Sequence, residues 1–143
     1  MASRELFRIL RIRRDAILER WLTHLSPLVD PEIEGGLVCV EDRAITGGIR
    51  DRADRRYAAS AWVGAQLEPR PVTVEGGGGA RVCVTVPRVP GASGSAPAYL
   101  VIDVVASTEG RETTGPLRIH AYDVGDAVRL VGLERPEGAG APR

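Results

Sequence analysis

The sequence predicts an α+β domain: two N-terminal helices packed on one face of a four- to five-stranded antiparallel sheet laid out as a meander. Three observations lead there. Apolar residues recur at helical spacing over the first 25 residues and again over 49–67. Beyond Val72 the spacing shortens to alternation, the period of a pleated strand. The stretch from Pro97 to Pro136 then holds one long apolar strand, a polar turn and a hairpin of two alternating strands.

Ser3 suits the N-cap of a helix running from Arg4 to about Leu25. Its stripe is Leu6, Phe7, Leu10, Ile17, Leu18, Trp21 and Leu25, and Ser26-Pro27 ends it. Arg4, Arg8, Arg11, Arg13 and Arg14 crowd its first turns. They read first as a solvated face in an Arg-biased chain; the alternative is a basic helix, 4–14, docked on an anionic surface. Residues 29–48 hold the breakers Asp30-Pro31 and Gly35-Gly36 around a short apolar run, Leu37 to Val40. That run fits a brief strand or the start of a helix. A second helix is expected over 49–67, with Ile49, Ala53, Tyr57, Ser60, Ala61, Gly64 and Leu67 inward and Trp62 on the far side, either half-buried under a loop or an interface anchor.

Strands follow at Val72 to Glu75 and Ala80 to Pro87. The Gly76–Gly79 loop between them lacks the Lys-Ser/Thr of a phosphate-binding loop. Pro87 to Pro97 is a loop rich in Pro, Gly and Ser. Ala98 to Ser107 is apolar on both faces, as a central strand should be. Leu117 to Asp123 and Val128 to Arg135 alternate cleanly and flank a turn containing Gly125. A tight turn there sets Ala121 opposite Val128 and His120 opposite Arg129. Residues 1–136 make the single domain, and 137–143 a disordered tail with nothing to bury.

This order of helix, short segment, helix and consecutive antiparallel strands resembles a cystatin-like or nuclear-transport-factor-like α+β roll. The resemblance lies in the pattern of elements. It implies a curved sheet wrapped around N-terminal helices, often enclosing a pocket, and it assigns no residue a role.

At 143 residues the chain can bury a core as one domain. Its formal net charge is zero, which argues against nucleic acid as a partner. All basic side chains are Arg, with no Lys and no Asn, a bias that GC-rich coding explains. Cys39 and Cys83 lie in apolar runs without a CxxC. Two reduced thiols are expected, with a single bridge as the alternative. The chain shows no signal peptide and no stretch long enough to span a membrane, so the expectation is a cytoplasmic protein or one domain of something larger.

Consistent register places Asp103 near His120 and Cys83, with Arg129 beyond His120 and Tyr99 and Tyr122 flanking the row. Asp103, His120, Tyr122 and Arg129 are therefore the candidate ligand-binding residues. An Asp can orient an imidazole and a thiol can attack, but this order puts Asp between Cys and His, so the thiol lacks its base. A cross-strand contact is the simpler reading. Catalysis is thus disfavoured, and no metal or cofactor is expected. The function expected is a non-catalytic protein–protein interaction module or a subunit of a larger assembly, binding a protein partner or itself. It rests on the half-apolar second face, with Val101, Val105, Val131 and Leu133, and on Trp62. The alternative is a small roll-type pocket protein that binds or converts an apolar small molecule.

Overall fold

The computed structural model describes residues 2–76, 78–109, 114–137 and 141–143, with the side chains of 22–24 excepted. Residues 110–113 of the polar turn expected over 108–115, Gly77 of the glycine loop and residues 138–140 of the tail lie outside the described residues. The fold is mixed: one long helix and two antiparallel sheets. Helix α1 spans Ala2–His24. Strands β1 (Leu28–Glu34) and β2 (Leu37–Asp42) form a hairpin, followed by the single-turn α2 (Arg43–Thr46). Then come β3 (Arg55–Val63), β4 (Glu68–Arg70), β5 (Val74–Gly76), β6 (Arg81–Thr85), β7 (Ala98–Thr108), β8 (Leu117–Asp123) and β9 (Val128–Glu134). One sheet has the order β1-β2-β6-β5 and the other β4-β3-β7-β8-β9.

Two expectations are corrected. The second helix does not form: Arg55–Val63 is a strand paired with β7 over nine residues, from Arg55 opposite Thr108 to Val63 opposite Leu100. Ala58, Ala59 and Ala61 favour a helix locally. The same stretch also alternates, with Tyr57, Ala59, Ala61 and Val63 on one face, and long-range pairing decides between the two periods. Nor do the strands make one sheet under two helices. Val38, Val40, Val82 and Val84 of one sheet pack against Ala61, Val63, Leu100, Ile102, Val104, Leu117 and Ile119 of the other. Each sheet covers the other's apolar face, so none is left for α1. The undecided segment 29–48 is a hairpin because Gly35 and Gly36 both hold positive φ, +54° and +83°, as a tight hairpin turn requires.

The last hairpin also differs in register. Asp123 pairs with Val128, Tyr122 with Arg129 and Ala121 with Leu130; a shift follows, and His120 pairs with Gly132. With Val124 to Ala127 as the connection, Ala121 meets Leu130 rather than Val128, and Arg129 meets Tyr122 rather than His120. The bulge inserts Val131 and reverses the facing of everything beyond it. Leu133 therefore turns toward the core side, opposite Ile119, and Glu134 toward the outside, opposite Arg118.

Asp123 fastens the long loop before β7. Its carboxylate accepts from Arg88 Nε and Nη2 at 3.0 and 2.9 Å, and from the N–H groups of Val89 and Gly125, each at 2.9 Å. Burial by itself raises this carboxyl. Arg88 and the two amides outweigh it and hold the pKa at about 2. Because the folded pKa lies below the unfolded one, this stabilisation is present above about pH 4 and is lost as the pH falls toward 2. Denaturant midpoints measured over that range should fall, and the fall should be shallower in Asp123→Asn. An equal slope in both proteins would contradict the assignment.

Candidate functional site

The outer face of the five-stranded sheet carries the polar cluster. Alternation puts Arg118, His120 and Tyr122 of β8 on that face, and pairing aligns them with β7: Asp103 with Arg118, Val101 with His120, Tyr99 with Tyr122. The bulge in β9 adds Glu134 to the row of Arg118. Leu67, Tyr99, Arg118, His120, Glu134, Pro136, Glu137 and Ala141–Arg143 line an open pocket of ≈ 600 Å3.

Two hydrogen-bonded units fill this face. Arg118 grips Asp103 with two bonds, Nε and Nη2 each donating at 2.9 Å, and both side chains are buried. The Asp103 carboxylate raises the pKa of that guanidinium. The other unit is a chain from Tyr99 to His120 to Glu134. His120 Nε2 lies 2.8 Å from Glu134 Oε2, and Nδ1 is bonded to the Tyr99 hydroxyl. An ionised Glu134 can only accept, so we assign the proton to Nε2; Nδ1 then accepts from the phenol. Tyr99 also stacks on His120, ring centroids 5.9 Å apart, and tilts against Tyr122 at 5.4 Å.

The Nδ1 lone pair that accepts the Tyr99 O–H can also take its proton, with Glu134 orienting the ring through Nε2. Burial raises the Tyr99 phenol, which moves it away from the phenolate a nucleophile needs. The lone pairs of the Tyr99 oxygen and the second Glu134 oxygen remain as acceptors. Among the described residues no group of three or more His, Cys, Asp or Glu side chains could hold a metal ion.

The sequence-predicted residues fall as follows. Asp103, His120 and Tyr122 share this face, but Asp103 is bonded to Arg118 and not to His120. Arg129 is opposite Tyr122, a row away from His120, and exposed. Cys83 is in the other sheet, bonded to Cys39 across β2 and β6; the expectation of two reduced thiols gives way to one disulfide, with Cα atoms 4.0 Å apart. That bridge forms because the two residues sit directly opposite each other in register. Trp62 is half-buried on β3, paired with Val101, which is fully buried, so neither stands out in solvent. Val131 does, as do Leu130 and Leu133.

Two residues that matter were not singled out from the sequence. Arg118 was readable on the polar side of its strand, next to His120. Glu134 was hidden by the bulge, since simple alternation puts it on the core side. A third set is buried between the sheets. Asp42 caps α2 by accepting from Ala44 N–H at 3.0 Å, and its other oxygen accepts from Arg55 Nε at 2.8 Å and Tyr57 OH at 2.6 Å. Arg55 Nη1 reaches Thr108 Oγ1 at 3.0 Å. Burial, then the Asp42 carboxylate, pushes the Tyr57 phenol up. This set joins the two sheets and lines none of the pockets described here. Comparison with family models, with curated proteins and with solved structures returns no match.

Proposed function

We propose that this chain is a non-catalytic interaction module that assembles with a second copy through β9. The observation that supports it is apolar surface left open at one sheet edge. β9 ends the five-stranded sheet, and Leu130, Val131 and Leu133 are 41, 60 and 40 % exposed. An open edge with apolar side chains is a template for strand pairing.

The sequence of β9 matches itself in antiparallel order. A two-fold axis between Val131 and Gly132 sets Leu130 opposite Leu133 of the second copy, and Arg129 opposite Glu134 of the second copy. The bulge makes the faces agree: Arg129 and Glu134 both turn outward, Leu130 and Leu133 both toward the core side. Such pairs contribute about 0.2–1 kcal/mol each. Two seven-residue strands bury little surface, so the dimer is expected to be weak, forming at roughly micromolar concentration or above.

Light scattering across a concentration series tests this. The mass should rise from 15.3 kDa toward twice that value, and Leu133→Asp should hold it at the monomer. A wild-type mass that stays at 15.3 kDa at every concentration counts against the reading. The pocket at His120 offers less to the alternative of a small-molecule protein, because its imidazole and its guanidinium are both already engaged. Among the described residues, no helix is long and apolar enough to cross a membrane.

A further inference from the structure

Helix α1 presents a surface that the sandwich does not use. Leu6, Phe7, Leu10, Ile17 and Trp21 are all more than half exposed, with Phe7 at 70 % and Trp21 at 59 %. The helix meets the body near its C-terminal end, where Glu19 pairs with Arg50 at 3.2 Å. Residues 2–14 are exposed throughout. At about 100° per residue, Leu6, Leu10, Ile17 and Trp21 fall within roughly 60° of one another. Phe7 continues that stripe, Arg14 lies inside it and Arg13 borders it. Arg4, Arg8 and Arg11 lie on the opposite side with Asp15 and Glu19.

Charge decides what this stripe fits. Residues 2–14 carry five arginines and one glutamate, while the whole chain is neutral, so the rest carries the balancing negative charge. A second α1 would bring like charge against like charge, and its seam would bury Arg14 together with the Asp15 it pairs with at 2.7 Å. At the boundary between lipid headgroups and acyl chains the same residues fit. The apolar stripe and its two aromatics sink in, and Arg13 and Arg14 extend along it to reach phosphates. We propose that α1 lies flat on an anionic lipid surface and holds the sandwich to it. The proposal is independent of strand pairing at β9.

The test is co-sedimentation of the full chain with vesicles of phosphatidylcholine alone, and with vesicles of phosphatidylcholine and phosphatidylserine in equal parts. Binding is expected on the second and not on the first, weakening as salt is raised. Each arginine near such a surface contributes about fivefold to partitioning, so R13Q/R14Q should bind roughly twentyfold less. L10D/I17D should lose binding to the mixed vesicles. These side chains are exposed, so both variants should keep the wild-type melting temperature. Equal binding to the two vesicle types, no binding to either, or binding unchanged in both variants would overturn the proposal. So would a mass in light scattering that exceeds the monomer in Leu133→Asp and drops in L10D/I17D, which would make α1 a protein-binding helix instead.

Discussion

Replacing Asp42 with alanine is expected to destabilise the fold by about 3–5 kcal/mol. Asp42 is fully buried, 0 % exposed, and three donors converge on its carboxylate: Ala44 N–H, Arg55 Nε and Tyr57 OH. Alanine removes the cap of α2 and leaves the Arg55 guanidinium buried without its counter-charge. Arg55 is only 4 % exposed, and its Nη2 already lacks a hydrogen-bond partner among the described residues. No spare acceptor is therefore at hand to take the load. The loss is a large share of the 5–15 kcal/mol that a domain of this size typically holds. Urea unfolding of the variant measures it. The double variant Asp42→Ala/Arg55→Met removes both charges and should be less destabilised than the sum of the single variants. Additivity, or a cost under about 1 kcal/mol for Asp42→Ala, would mean that this pair does not join the sheets.

Breaking the Cys39–Cys83 bridge is expected to cost about 2–4 kcal/mol. The bridge closes a loop with a sequence separation of 44, so most of its effect is the freedom it removes from the unfolded chain. It also ties β2 to β6 at the centre of the four-stranded sheet, where Val38, Val40, Val82 and Val84 supply the core on the other face. Thermal unfolding with and without reductant should differ by several degrees, and Cys39→Ala/Cys83→Ala should melt like the reduced wild type. Thiol titration of the unreduced, unfolded protein should find no free thiol. Two free thiols, or no change in melting with reductant, would contradict the bond.

The later half of the fold was legible in the sequence and the earlier half was not, for reasons that particular residues show. Ala98–Thr108 and Leu117–Asp123 stand where alternation and β-branched content put them, because no competing period runs through them. Arg55–Val63 carries two periods at once. Its alanines suit a helix, and only the nine-residue match to β7, from Arg55 opposite Thr108 to Val63 opposite Leu100, selects the strand. The hairpin at Gly35-Gly36 depends on positive φ at both glycines, which a list of breakers does not convey.

The site was half legible for a related reason. Asp103, His120 and Tyr122 do share a face, since register through β7 and β8 is regular. Their partners are another matter. Glu134 reaches His120 only because Val131 is an extra residue in β9, and one inserted residue reverses parity without any mark in composition. Cys83 went astray because parity alone does not say in which of two sheets a strand belongs. The exposed stripe of α1 was read as core for the same reason. Spacing identifies an apolar face and is silent on what covers it.

The charge exchange across the proposed two-fold axis tests the assembly most directly. Arg129→Glu and Glu134→Arg should each hold the mass near 15.3 kDa, since like charges then meet across the axis, and the two together should restore the dimer. If the combined variant stays monomeric while wild type dimerises, copies meet by some other surface, and β9 is not where this chain assembles.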